Sequence, residues 1–377
     1  MKLKKARLPI TDFINRNKII SICINLAISL FLSITRLALK PFNYSNGNLV
    51  VISLHRLGDT IFTIPAIREL QKRYGKKLVI LCFPESIPIF NLEFVDLRFC
   101  PVDHKEFYFG QRIARRSAKS KLRLLKPEII LDLTGSMISA SLIYTIRAKE
   151  IYGINRKQFS SIYDHFVSVR EEPQLVDIYL DAISPLTKIS DRTEFKKQKI
   201  LINPRGRVLI HPFAGWKEKE WNFRNIISLT VELNKNYQVS LITQNNQLSS
   251  DVIKELDHLN IDLIQTNSVE ELIKSIMECS LFIGNDSGPV NIANFIGKPT
   301  FTIYGATNPD YTASEEDHQR YIQIKLNCSA KLNEKYCKIG VGKYDCPGIQ
   351  CMNLLTVDDV YHDVAPLIEE YCNKKNN

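Results

Sequence analysis

Two carboxylates stand where a ligand would meet the chain: Asp286 in "FIGNDSGPVNIANFIG" and Asp59 in "HRLGDTIFTIPAI". The first stretch reads as a strand, a glycine-bracketed turn and a helix. Such a turn offers backbone N–H groups at a helix N-terminus, where an anion binds. A carboxylate beside those amides would repel a bare phosphate. A ligand that is part anion and part polyol accommodates both: a diphosphate on the Ser287 and Gly288 amides, sugar hydroxyls on Asp286, which can equally cap the helix. In the second stretch Gly58 permits a tight turn and sets Asp59 at the carboxyl end of a strand. Pro65 implies a loop or irregular first turn over 58–64. Asp59 is then either an N-cap or a general base that takes a proton from an attacking hydroxyl. A third stretch, "HPFAGWKEKEWNF", puts Lys219 and Trp221 near a helix entry. They offer a phosphate a positive charge and an aromatic face, or else are a surface lysine and a core tryptophan. His211 is either ligand-facing or a satisfied structural histidine.

The elements that must hold these residues alternate. Continuous apolar runs at 48–54, 77–83, 95–100 and 128–133 read as strands, with helices at about 60–73, 106–125 and 136–147. The scheme repeats with strands at 207–212, 238–243, 261–266, 280–284 and 299–305, and helices near 222–235, 249–258, 269–278 and 287–296. Unbroken apolar strands alternating with helices indicate parallel sheets covered on both faces. The expected fold is α/β, two Rossmann-like domains facing a cleft, with ligands at the carboxyl ends of the strands. A polar, turn-rich linker falls at about 183–206. The expected division is a membrane-associating helix over 1–40, an acceptor-side domain over 41–185, a donor-binding domain over 200–355, and a helix and tail over 356–377.

The 377 residues carry a net charge of +10, unevenly placed. Residues 1–18 hold six basic side chains against Asp12, and 112–126 hold seven with no acid. Arg56, Arg112, Arg115, Arg116 and Lys119 are a candidate anion patch for a phosphorylated lipid, a bilayer surface or nucleic acid, or a solvated basic face. The run Ile19–Leu39 is uncharged until Arg36, and Ser21, Asn25, Ser29 and Ser33 draw one polar stripe along it. It lies in a membrane interface, spans a bilayer, or docks on the protein's own body. Basic residues before it would keep 1–18 cytoplasmic. The nine cysteines, odd in number and often within apolar runs, fit a reducing compartment. Cys328, Cys337, Cys346 and Cys351 lack the close pairs of a structural zinc site.

Three blocks in order, "RLGDTIFTIPAI", "HPFAGWKEKEW" and "LFIGNDSGPVNIANFIGKPTFTIYGATNP", resemble glycosyltransferase family 9, the bacterial heptosyltransferases of lipopolysaccharide core assembly. The resemblance covers about residues 48–310. It implies a GT-B fold and an inverting, metal-independent enzyme with no cofactor, using a nucleotide diphosphate-sugar, typically ADP-heptose, as donor. It implies Asp59 as the base, Lys219 as a phosphate ligand, and Asp286, Ser287 and Gly288 as binders of donor sugar and diphosphate. It further implies a lipid-linked saccharide acceptor met at the inner face of the cytoplasmic membrane, and a last helix, about 356–371, crossing back to brace the first domain. Two positions depart from the family pattern and bear on the donor. Asn291 stands where a histidine near the donor is common, and "QNNQLSS" lacks the glycine and glutamate expected near the ribose. The rival readings are a family-related transferase with another nucleotide-sugar for capsule or O-antigen, and a non-catalytic nucleotide-sugar binding protein. A nucleic-acid binder has no recognisable motif behind it.

Overall fold

The computed structural model describes residues 18–40, 47–108, 112–154, 157–170, 174–189, 200–314, 316–337, 346 and 348–373. The basic segment 1–17 and the centre of the expected linker, 190–199, lie outside the described residues. The chain divides into two compact units. The first comprises Met1–Leu54, Gln71–Pro84 and Asp96–Val169; the second comprises His55–Leu70, Glu85–Val95 and Arg170–Asn377.

In chain order the first part runs α1 (Lys18–Leu39), β1 (Asn48–Ser53), α2 (Leu57–Tyr74), β2 (Leu78–Cys82), β3 (Arg98–Pro101), β4 (Phe107–Tyr108), β5 (Ile113–Ala114), α3 (Arg116–Leu124), β6 (Pro127–Asp132), α4 (Met137–Ile143), β7 (Glu150–Ile154) and β8 (His165–Val167). Six strands form a parallel sheet in the order β3-β2-β1-β6-β7-β8. Val50, Ile52, Val79, Leu81 and Ile130, all fully buried or nearly so, centre its core. Strands covered on both faces are the reason β1 and β2 read as unbroken apolar runs.

The later part runs α5 (Leu175–Ile183), β9 (Val208–His211), α6 (Phe223–Asn234), β10 (Val239–Gln244), α7 (Ser250–His258), β11 (Asp262–Thr266), α8 (Val269–Glu278), β12 (Leu281–Asn285), α9 (Gly288–Ile296), β13 (Thr300–Tyr304), β14 (Gln319–Gln323) and α10 (Val357–Tyr371). Its six-stranded parallel sheet is ordered β11-β10-β9-β12-β13-β14. The pair of Rossmann-like α/β units expected of a GT-B chain is present.

Two expectations fail in detail. The helix over 106–125 is instead the two-stranded ribbon β4–β5 followed by the shorter α3. No loop fills 58–64: α2 begins at Leu57 and carries Pro65 inside it. An interior proline costs about 3 kcal/mol. Burial of Ile61, Ile64, Ile67 and Leu70 on the same helix is worth roughly 1.5–3 kcal/mol each, which outweighs it. The Thr60 and Thr63 hydroxyls also donate back to the Arg56 and Thr60 carbonyls. α10 places Val360, Val364, Leu367 and Ile368 in the second unit's own core.

α1 docks on its own unit, one of the three readings open for it. Among the described residues no helix is long and apolar enough to cross a membrane. α1 packs on the 3-10 turn Lys157–Ile162 of its own unit. Its inward side places Leu32 in the first unit's core and adds polar contacts: the Ser29 and Ser161 hydroxyls bond each other, and buried Arg36 pairs with Asp164. Arg36 also donates to the carbonyls of Ala148, 2.9 Å, and Lys149, 3.1 Å. Burial alone would raise the Asp164 pKa, but Arg36, Lys40 and the Ile151 amide together hold it below the usual carboxylate value.

Candidate active site

A pocket wholly within the second unit gathers Arg56, Asp59, Trp216, Lys219, Asp286, Ser287, Gly288 and Asn291. Two strand–turn–helix junctions build it. At the first, α2 puts Asp59 in its opening turn, within the helix and not before it as an N-cap. Among the described residues no donor bonds the Asp59 carboxylate. Tyr179 lies near; burial foremost, then the Asp59 charge, lift its phenol well above the ordinary value, so it stays neutral.

At the second junction β12 ends in Asn285 and α9 begins at Gly288, with Ser287 as N-cap residue. The Ser287 side chain makes no cap bond, and among the described residues its buried hydroxyl has no hydrogen-bond partner. Asp286 neither caps the helix nor stands free. Its carboxylate, in a residue 4 % exposed, pairs with Lys219 Nζ at 2.5 Å and accepts from the Thr307 hydroxyl at 2.7 Å. Lys219 Nζ also donates to the Asp286 carbonyl at 3.1 Å and lies 4.7 Å from the Trp216 ring centroid. The lysine is thus fixed on three sides at the mouth of the α9 amides.

The junctions touch through glycine. A Cβ on Gly58 would fall 2.9 Å from Asn291 Nδ2 and 3.4 Å from Gly288 Cα; one on Gly288 would fall 3.1 Å from Leu57 Cβ. Backbone meets backbone there, so neither position accepts a side chain without displacement.

Every candidate from the three blocks except Trp221 and His211 lines this pocket. Trp221 is a core residue whose indole N–H donates to the Leu355 carbonyl at 2.9 Å. The aromatic face comes from Trp216, five residues earlier in the quoted block and unassigned by sequence reasoning. His211 packs edge-on against Phe213, and burial pushes its pKa down to about 4, leaving the ring neutral. Arg56 lines the pocket, whereas Arg112, Arg115, Arg116 and Lys119 belong to the first unit.

Lys335 and Tyr336 complete one wall and had no sequence signal. Asn308 holds them: its amide N–H donates to the Lys335 carbonyl at 3.1 Å, and its Nδ2 reaches the Lys331 and Glu334 carbonyls at 3.1 and 3.2 Å. Asn308 stands in the quoted "GATNP", so an asparagine after the last motif strand was the available clue. Just beyond, the Cys351 thiol is raised to about 11, by burial first and then by the Cys337, Cys346 and Cys328 sulfurs nearby. Among the described residues no group of three His, Cys, Asp or Glu side chains is set to hold a metal.

Known proteins bear on this arrangement. Lipooligosaccharide heptosyltransferase 2 of Campylobacter jejuni is 18% identical over 322 residues, 82% of this chain and 96% of that protein. Lipopolysaccharide heptosyltransferase 3 of Escherichia coli is 24% identical over 281 residues, 67% of this chain and 81% of its own. Among solved structures, E. coli heptosyltransferase WaaC with ADP superposes with a TM-score of 0.61 at 14% identity, covering 86% of this chain and 99% of that one. The iron-containing dodecameric glycosyltransferase TibC of enterotoxigenic E. coli gives 0.52 at 12% identity, covering 87% and 78%. These structural likenesses speak for the fold. The profile described as glycosyltransferase family 9 (heptosyltransferase) matches residues 115–339, more than half of the chain, and the chain belongs to that family.

Proposed function

We propose that this glycosyltransferase moves a heptose from ADP-heptose, with inversion, onto a lipid-linked saccharide of the lipopolysaccharide core at the inner face of the cytoplasmic membrane. The observation that carries the reading is one pocket holding a carboxylate with no bonded donor among the described residues, Asp59, together with a fixed cation, Lys219, at a helix N-terminus. Asp59 takes the proton of the acceptor hydroxyl as its oxygen attacks the anomeric carbon. The bond from that carbon to the diphosphate oxygen breaks on the opposite face, and the diphosphate leaves with the bonding pair. Its growing negative charge falls to Lys219, the Ser287 hydroxyl and the first amides of α9. Asp286, already held by Lys219 and Thr307, orients the lysine and turns its remaining lone pairs to the sugar. No cofactor enters the scheme.

The test is a thermal-shift titration of the full chain with ADP, ADP-heptose, UDP, GDP and CMP. A ligand at 100 times its Kd adds about 2.7 kcal/mol of stability. The reading expects stabilisation by ADP and a larger one by ADP-heptose; a preference for UDP or GDP would sink the heptose assignment. One observation favours a different nucleotide-sugar. Asn291, in place of the histidine the family pattern suggests, lines the pocket beside Gly58, a neutral group where the donor would meet an ionisable one.

A further inference from the structure

α1 leaves most of its large apolar side chains on its outer side. The stripe that meets the body holds Ser29, Leu32 and the buried ion pair of Arg36, while Leu26, Leu30, Phe31, Ile34 and Leu37 point away and are each at least 60 % exposed. Ordinary surface helices place these types the other way round. A contiguous apolar face of this size marks an interaction surface. Covering a large apolar side chain is worth roughly 1.5–3 kcal/mol, so something that does so gains considerably.

What covers it follows from the neighbouring charge. α1 packs on the turn Lys157–Ile162, that turn on α4, and α4 on α3, so α1 and α3 belong to one layer of the first unit. The α3 segment, residues 112–126, carries seven basic residues and no acid. Arg112, Arg115, Arg116 and Arg123 are exposed, with Leu124 and Ile113 exposed among them. Glu106, an acid beside α3, is already paired with Lys121 at 2.5 Å, as Asp164 beside α1 is with Arg36. The sequence ahead of α1 adds Lys2, Lys4, Lys5, Arg7 and Arg16. A second copy of the chain would bring like charges together as it covered the apolar faces. An anionic bilayer satisfies both, taking leucine and phenylalanine into its acyl boundary and arginine into its headgroups.

We propose that the outer face of α1, flanked by the basic α3, is the surface by which this protein lies on an anionic lipid bilayer. It deepens the membrane-side reading above by naming the surface, and α1 lies on the membrane as a docked element of the first unit without crossing it. The two stripes divide the labour: Ser29, Leu32 and Arg36 hold the helix to the protein, and Leu30, Phe31 and Leu37 enter the lipid.

The test is co-flotation of the full chain, without donor, on phosphatidylcholine vesicles with and without phosphatidylglycerol. Binding to the anionic vesicles, weakened by high salt, is expected. Reversing Arg112, Arg115 and Arg116 to Glu should weaken it by roughly 100-fold or more, at about five-fold for each charge near the surface. Leu30→Glu with Leu37→Glu should weaken it at every salt concentration. Both sets lie on exposed positions, so the melting temperature should hold. As a second readout, Phe31→Trp should add an emission that shifts to the blue on adding anionic vesicles. Absence of flotation, flotation indifferent to the leucine pair, or a vesicle-free dimer abolished by that pair would each overturn the proposal. Donor-induced thermal shifts test the transferase reading apart from this one.

Discussion

The junctions β1–α2 and β12–α9 follow one local plan, a buried strand, a glycine turn and a helix, and each brings a carboxylate to the same pocket. They treat it oppositely. Asp286 is buried, paired with Lys219 and hydrogen-bonded by Thr307, whereas Asp59 has no bonded donor among the described residues. A carboxylate saturated with charged and hydroxyl donors is a poor proton acceptor and a good positioning group; one left open can take a proton. The difference separates the chemistry from its scaffold within one pocket. The largest effect expected from it is on rate. Asp59→Asn should lower transfer by about 10²–10⁴-fold, roughly 3–5 kcal/mol in the barrier, with the melting temperature unchanged. Transfer near the wild-type rate, followed by release of the nucleoside diphosphate, would break the assignment.

The opposite test belongs to the paired carboxylate. Lys219→Met leaves Asp286 buried and uncompensated, and breaking such a pair costs about 3–5 kcal/mol. Urea denaturation should show that loss, and combining Lys219→Met with Asp286→Asn should recover part of it. If Lys219→Met melts like the wild type, the pair is not the scaffold the geometry describes.

The contact between the junctions makes the next, smaller prediction. Gly58→Ala places a methyl 2.9 Å from Asn291 Nδ2, and overpacking of this kind costs typically about 1–3 kcal/mol. Adding Asn291→Ala should relieve it. Equal destabilisation with and without the second substitution would show that the two junctions do not press on each other there.

The same contrast explains how much the sequence revealed. β1, β2, β12 and β13 were readable because strands buried on both faces are apolar throughout, and Gly58 and Gly288 because backbone must approach backbone. The 106–125 segment misled: its lysines and arginines favour helix, yet the ribbon β4–β5 is fixed by tertiary pairing, as the Ala114 amide donating to the Ser141 hydroxyl at 2.8 Å shows. Pro65 misled because local rules weigh the lost hydrogen bond and not the isoleucines buried around it. Trp216 and Trp221 could not be told apart until the Leu355 carbonyl was seen to take the second indole. Lys335 and Tyr336 arrive from far along the chain through Asn308, and no spacing encodes that. Of the polar stripe read on α1, Ser29 faces the protein and Ser33 is exposed; which side would pack depended on Leu32 and on Asp164, 128 residues from Arg36.

The smallest effect is also the most selective between a group that shapes the pocket and one that waits for a ligand. The Ser287 hydroxyl is buried, makes no cap bond and has no partner among the described residues. Its removal therefore forfeits no hydrogen bond within the described structure, and Ser287→Ala should leave the ligand-free melting temperature nearly unchanged. If the hydroxyl donates to the diphosphate, it contributes about 1 kcal/mol to binding, so ADP affinity should fall roughly five-fold. Loss of stability without ligand would instead make Ser287 a structural cap. An unchanged affinity would move the diphosphate off the α9 N-terminus and leave Lys219 and the opposite wall, Lys335 and Tyr336, as its remaining hold.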